Sequence, residues 1–484
     1  MNASVVARGV LLAAFVASGA LPGACSSKGD DAAPSPAPSS SVPTSPAAPS
    51  ELASTLDKRV RGDRTGVCVA AAVVEGRGKA GDRAVVCADP ARARALDGDV
   101  ALEIGSVTKT MTATLLADLV REGKLSLDDS LAKHLPDGTK VPSFQGKPIE
   151  LRHLVTHTSG LPPLPPGFDP PDPSNPYAAV TDVQLFDALG NVTLTSAPGT
   201  DWAYSNFGFM LLSWVIAHTD GRDFESALHE RLFTKLGMTR SFVSRKPSNV
   251  TTASGHLPGG ATTSPWDFGP NLGGVGGARS TLDDMILYAR AQIGDLDDQV
   301  LAGVIAKTHE RVDIGVPPNP EQPEVGMAWL RTHGLGRVVV LHDGETGGFS
   351  SIVAVDVERS RAVVLLFDTS VADTGIVGEL IGHVLDTAQP LPPPRLVTAP
   401  PSELLQALSG DYRLQGVDVT LTTKDGALRA TLGGASVLEL GYDSRGDFYP
   451  IGAAGLLTPV KQADGTQTFT WTQDGQAITA TRKR

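Results

Sequence analysis

Proline gathers in three stretches of this chain, and each denies the backbone a helix interior or a central strand. The first lies within SSKGDDAAPSPAPSSSVPTSPAAPS, residues 26–50. The second, LPPLPPGFDPPDPSNP, holds eight prolines between Pro162 and Pro176. The third is QPLPPPRLVTAPPSE, residues 389–403. Regular structure has to fall between them. The 484 residues therefore divide into a leader with a tether, a large body carrying one surface rim, a linker and a terminal unit.

The leader reads as an export signal over residues 1–24. Arg8 supplies a basic start, and GVLLAAFVASGAL (9–21) is apolar but too short to span a bilayer comfortably. The run Leu21-Pro22-Gly23-Ala24-Cys25 resembles a bacterial lipoprotein signal, in which Cys25 would take the lipid. Pro22 departs from that pattern, so secretion with cleavage nearby stays open as an alternative. Residues 25–55 hold too few large apolar groups to offset ordering entropy and are expected to form a tether. The expected site of the protein is a periplasm or a cell surface, tethered to a membrane.

Cysteine usage agrees with export. With Cys25 lipidated, Cys68 and Cys87 remain, on the apolar runs GVCVAAAVV and AVVC either side of GRGKAGDR. A hairpin centred near Arg77 and Gly78 sets the two cysteines opposite each other. A disulfide is expected over two buried thiols in an oxidising compartment.

The body mixes both kinds of element. Val107, Met111, Leu115 and Leu119 recur every four residues in a helix after Ser106. Thr281-Leu-Asp-Asp284 resembles a helix N-cap. RVVVLH (337–342), FSSIVAVDV (349–357) and RAVVLLFD (361–368) read as strands, and a helix follows near Gly375–Leu385. A hairpin at the start and three strands at the end suggest one antiparallel sheet built from both ends of the body. The helices between them would form a second lobe, which makes an α+β architecture for residues 56–388. After the linker, 389–402, residues 403–484 change texture. VDVTLTT, ALRATL and TFTWTQ alternate apolar with polar, and Asp-Gly pairs at 425–426, 464–465 and 474–475 mark tight turns. A small all-β barrel or sandwich is expected there.

The formal net charge of −12 argues against nucleic acid, because an acidic chain repels phosphate backbones. The residues that suggest chemistry are of another kind. Ser106-Val-Thr-Lys109 places a serine at a helix start and a lysine one turn on, on the same face. Amide and ester hydrolysis need such a nucleophile, a proton acceptor and oxyanion donors. Spacing alone does not decide, since Ser130-Leu-Ala-Lys133 repeats it in a hydrophilic setting and is assigned a solvated surface role. Tyr204-Ser-Asn206 is the one Tyr-x-Asn in the chain. A tyrosine needs a neighbouring cation to act as a base, and Asn206 offers an amide to a substrate amide. His342-Asp-Gly-Glu-Thr-Gly-Gly-Phe349 lies between two strands, where its glycines admit a substrate to the strand edge. The N–H of Glu345 there could complete an oxyanion hole with that of Ser106. Read alone, the block is equally an ordinary turn.

In this order the three blocks resemble the serine β-lactamase and penicillin-binding-protein superfamily, in its class C-like branch with AmpH-type D-alanyl-D-alanine carboxypeptidase/endopeptidases and esterases. EIGSVTKTMTATLLADLVREGKLSLDDSLAKHLP, VPSFQGKPIELRHLVTHTSGLP, APGTDWAYSNFGFMLLSWVI and HDGETGGFSSIVAVD carry the resemblance over residues 60–390. It implies a β-lactamase-like fold, an antiparallel sheet flanked by helices plus a helical lobe. It also implies Ser106 as the acylated nucleophile, Lys109 as its proton partner and Tyr204 as general base toward the nucleophile and the deacylating water. Asn206, His342, Gly344, Glu345 and Thr346 would contact substrate. His342-Asp343-Gly344 stands where lactamases of this class carry Lys-Thr-Gly, and a histidine is a weaker, pH-dependent cation for a substrate carboxylate. The implied substrates are a small D,D-peptide, a β-lactam or an ester, and a penicillin-binding sensor without turnover is the non-enzymatic alternative. The terminal unit resembles the lipocalin-like barrel that some of these hydrolases append. No cofactor is implied. His153 and His157 have zinc-ligand spacing, but HLVTH lacks the glutamate of a metalloprotease helix, so no metal site is expected. Trp202 is read as a packed aromatic beside Tyr204.

Overall fold

The computed structural model describes residues 50–483 except positions 78, 80, 97, 315–323, 435 and 474–475. The leader, Cys25, the tether up to residue 49 and the Asp-Gly turn at 474–475 therefore lie outside the described residues.

The sheet of the body contains β1 (Cys68–Glu75), β2 (Asp82–Cys87), β3 (Glu324–Val325), β4 (Leu330–Thr332), β5 (Val339–Glu345), β6 (Ser350–Asp356) and β7 (Arg361–Phe367). Their order is β2-β1-β7-β6-β5-β4-β3, and each neighbouring pair is antiparallel. The expectation that both ends of the body share one sheet holds: Val69 pairs with Phe367 and Cys68 with Cys87. A disulfide joins Cys68 to Cys87.

The strands are apolar runs because both faces are covered. In β1, Ala70, Ala72 and Val74 belong to the core shared with the helical lobe, while Val69, Ala71 and Val73 belong to the core on the other face. That second core is closed by helix α1 (Glu51–Val60) through Leu52, Leu56 and Val60, and by a C-terminal helix of the body through Ile376, Leu380 and Val384. Helix α1 begins inside the stretch assigned from sequence to the tether, residues 25–55. Two causes set its start. Ser50 caps the helix by accepting from Ala53 N at 3.1 Å. Burial of each leucine then contributes about 1.5–3 kcal/mol toward its ordering.

The helical lobe contains α2 (Thr108–Arg121), α3 (Asn206–Asp220) and α4 (Leu282–Gln292). Met111, Leu115 and Leu119 of α2 are buried, as their spacing predicts, and Thr281 caps α4 by accepting from Asp284 N. The helix closing the sheet's other face is α5 (Ile376–Leu385).

The terminal unit contains β8 (Gly410–Leu414), β9 (Val417–Lys424), β10 (Ala427–Leu432), β11 (Ser436–Asp443), β12 (Phe448–Pro450), β13 (Leu456–Lys461), β14 (Gln467–Gln473), β15 (Gln476–Thr479) and β16 (Thr481–Arg482). They run in the order β15-β14-β13-β12-β11-β10-β9-β8-β16. The two ends of that path are adjacent in sequence, so the sheet is barrel-shaped and nearly closed. Tyr412, Leu421, Leu428, Leu440, Phe448 and Phe469 fill it. Asp425 and Gly426 form the expected two-residue turn, both with positive φ.

The barrel docks on the body through ions. Arg395 of the linker is buried and reaches Asp443 at 3.1 Å and Asp447 at 2.7 Å. Arg64 reaches Asp443 at 2.9 Å, and Glu379 of α5 receives both Arg59 and Arg445.

Candidate active site

Ser106 sits in a short turn, Gly105–Val107, that leads directly into α2. Two glycines let that turn meet β5. Gly105 has φ +47°, and a Cβ on it would lie 2.6 Å from the backbone nitrogen of Glu345. A Cβ on Gly344 would lie 2.1 Å from the carbonyl oxygen of Ile104 and 3.0 Å from the nitrogen of Ser106. Only bare backbone fits in that gap. Ser351 of β6 ties the same turn down by donating to Ile104 O at 2.8 Å. The N–H groups of Ser106 and Glu345 are thereby brought together, which is the juxtaposition an oxyanion hole requires.

Ser106 Oγ accepts from two side chains. Lys109 Nζ donates to it at 2.9 Å and Tyr204 Oη at 2.8 Å. Lys109 is fully buried and also donates to the carbonyl of Val275 at 2.5 Å. Its Nζ lies 5.0 Å from the centre of the Tyr204 ring. Burial holds the lysine well below its usual range, with Asp343 pulling weakly the other way. Burial also pushes the Tyr204 hydroxyl up, partly offset by its bond to Ser106. Burial thus disfavours both the protonated amine and the phenolate beside the serine oxygen. The amine whose pKa burial lowers lies within hydrogen-bond distance of Oγ, where it is a candidate proton acceptor for the serine.

The other sequence-assigned residues surround this trio. Asn206 opens α3, its Nδ2 3.3 Å from Tyr177 Oη, while its buried Oδ1 has no protein partner. His342 of β5 is buried with its ring centre 6.4 Å from that of Tyr204. Its Nδ1 donates to the carbonyl of Asp343 at 2.5 Å, and burial pushes its pKa down to about 4. A fixed cation is thus absent from the position where the family's lactamases carry lysine. The Glu345 carboxylate accepts from Ser370 Oγ, so its backbone rather than its side chain faces Ser106. Thr346 is buried beside Glu103, whose carboxyl burial raises against the pull of Arg279.

Several neighbours were not assigned from the sequence. Val275 lies in the glycine-rich stretch NLGGVGGARST, residues 271–281, and its carbonyl holds Lys109. Gly105 precedes the serine, and its positive φ is a signal that a lone glycine in a run does not reveal. His157 packs its ring 4.3 Å from that of Tyr204, and its Nδ1 accepts from Ser205 N at 3.0 Å. His153 instead accepts from Glu150 N at 3.0 Å, so the pair faces different partners. Ser130 and Lys133 are also apart from the site, with Lys133 paired to Asp129 at the surface. A cavity of about 130 Å³ adjoins Tyr204, His157, His342 and Asp343, and Trp202 helps to wall it.

The β-lactamase family model matches residues 54–382, which takes in every strand of this body and most of α5. The chain belongs to the β-lactamase family. It is a serine hydrolase of the class C-like branch. D-alanyl-D-alanine-carboxypeptidase/endopeptidase AmpH of Escherichia coli (strain K12) is 29% identical over 266 residues, 53% of this chain and 68% of that one. Penicillin-binding protein 4 of Amycolatopsis lactamdurans is 27% identical over 347 residues, 66% of this chain and 87% of that one. The crystal structure of a β-lactamase/D-alanine carboxypeptidase from Yersinia pestis superposes with a TM-score of 0.56 at 21% identity, covering 69% of this chain and 99% of that one. Within the β-lactamase fold, the contact between the Ser106 turn and β5 lies at the junction of sheet and helical lobe.

Proposed function

We propose that this protein forms an acyl-enzyme on Ser106 and acts as a D,D-carboxypeptidase/endopeptidase on cell-wall peptides. The observation that carries the reading is the placement of Ser106 Oγ between Lys109 Nζ and Tyr204 Oη, at 2.9 and 2.8 Å. In acylation, Lys109 takes the serine proton as Oγ attacks the carbonyl carbon. The N–H groups of Ser106 and Glu345 receive the oxyanion, and Asn206 takes the substrate amide. Tyr204 hands its proton to the departing nitrogen and is refilled from Lys109. Deacylation runs the same relay backwards, with water in place of the leaving group.

A short-chain ester or a β-lactam is the second substrate reading. The neutral His342 favours an ester over any substrate that needs a cation for its carboxylate. We assign residues 1–24 to a signal, the following segment to a tether, 56–388 to the hydrolase, 389–402 to a linker and 403–484 to the barrel. Export and lipid attachment at Cys25, placing the protein in a periplasm or at a cell surface, complete the proposal and rest on the leader sequence.

The test is a substrate panel: fluorescent penicillin, chromogenic cephalosporin, short-chain nitrophenyl ester and a D-Ala-D-Ala peptide, each with the protein and with Ser106→Ala. Cleavage of the peptide that disappears in the variant is expected. Equal activity in the variant sinks the mechanism, and a stable penicillin adduct without any turnover turns the protein into a sensor. Intact mass of the membrane-extracted protein reads a diacylglyceryl group on Cys25.

A further inference from the structure

Asp343 follows His342 on β5, and its side chain is 72% exposed, at the mouth of the site. Its Oδ1 lies 3.9 Å from His342 Nδ1, and it lines the cavity that adjoins Tyr204 and His157. The cavity beside it is walled by Val155, Trp202, Val325, Ala328 and Leu330, and among the described residues no lysine or arginine lines it. The histidines there, His157 and His342, are held neutral by burial. The formal charge on this side of Tyr204 is therefore negative.

That side is where a leaving group must lie, if Tyr204 supplies its proton as proposed above. We infer that Asp343 and the apolar cavity form a leaving-group subsite that selects neutral or cationic leaving groups and repels those carrying a carboxylate next to the scissile bond. The carboxylate at the rim supplies the charge selection, and the cavity takes an uncharged apolar portion of the leaving group. The inference rests on the acyl-enzyme reading and narrows it: the D-alanine that a carboxypeptidase releases carries such a carboxylate, so the subsite turns the preference from carboxypeptidase release toward endopeptidase cleavage of links whose leaving amine bears none, or toward esters.

Three aryl acetates with matched shapes test it: the esters of phenol, 3-hydroxybenzoate and 3-hydroxyphenyltrimethylammonium. Comparing kcat/KM of the protein with Asp343→Asn cancels the differing reactivities of the three phenols. At low salt, Asp343→Asn should raise the carboxylate ester three- to tenfold relative to the phenyl ester and lower the cationic one by a similar factor. Asp343→Lys should invert the order, and added salt should shrink every difference. Relative rates that stay the same in all three proteins overturn the subsite, while loss of all activity in Ser106→Ala still upholds the nucleophile. Hydrolysis that persists in Ser106→Ala overturns both, because the leaving group would then have no reason to lie beside Tyr204.

Discussion

The carbonyl of Val275 accepts from Lys109 Nζ at 2.5 Å, so a glycine-rich loop fixes the amine that serves Ser106. Because the lysine is buried with its pKa lowered, folding removes a proton that the unfolded chain keeps. The unfolded state then binds more protons over the range between the folded pKa and about 10.4, and stability rises with pH there. Lys109→Met abolishes that contribution. Its turnover should fall by at least about 10³-fold. Its thermal midpoint relative to the parent should be highest near pH 6 and decline toward pH 9. A midpoint difference that does not change with pH would mean that Lys109 stays protonated.

Acid should unfold the body early. His153, His309 and His342 are each pushed down to about 4 by burial, and burial lowers His157 well below its ordinary value too. Folded-state values below the unfolded one near 6.5 mean that stability is present at neutral pH and is lost as pH falls from about 6.5 toward 4. Each such histidine contributes up to about 1.4 kcal/mol per pH unit. Urea midpoints measured at pH 7, 6 and 5 should fall steeply over the last step. A flat series contradicts the buried neutral rings.

Gly344→Ala tests the contact between β5 and the Ser106 turn. The added methyl would start 2.1 Å from Ile104 O and 3.0 Å from Ser106 N, both backbone, and 2.6 Å from Ser351 Oγ, which is itself tied to that turn. The strand must shift from the turn, which parts the two oxyanion donors. We expect kcat to fall by about 10²–10³, with far-ultraviolet circular dichroism retained. An active variant would show that Glu345 N plays no part.

Arg395→Ala should loosen the barrel. It strips a guanidinium from Asp443, which is wholly buried, and from Asp447, leaving Asp443 to Arg64 and the backbone N–H of Arg445. A loss of about 3 kcal/mol is expected, read as a lower unfolding midpoint and faster proteolysis in the linker. Pairing Arg395→Met with Asp443→Asn should recover part of it.

The sequence makes some of these features legible and hides others. Elements with a local period were readable: the four-residue recurrence in α2, the apolar runs of β1, β6 and β7, and the Asp425-Gly426 turn. Ser106, Lys109 and Tyr204 stood out because their motifs are short and contiguous. The partners of those groups come from distant segments. Val275 contributes only a carbonyl, which every residue type possesses. Asp343 looked like part of a turn until its side chain had a place relative to Tyr204. The first half of α1 falls within the expected tether, 25–55, because it follows a proline-rich run, although Leu52, Leu56 and Val60 recur every four residues.

The register Val69↔Phe367 has a consequence for the order in which the protein is made. Strand β1 leaves the ribosome about 300 residues before the partner that covers its inner edge, which is a delay of roughly 15–60 s at ordinary synthesis rates. During that interval the early hairpin exposes an unpaired apolar edge, a template for pairing with other chains. The sheet cannot close before the last strand of the body has been synthesised. Folding of the body is then bound to finish late, once residue 367 has been made, and slowly, because its central pairing is among the most distant in sequence.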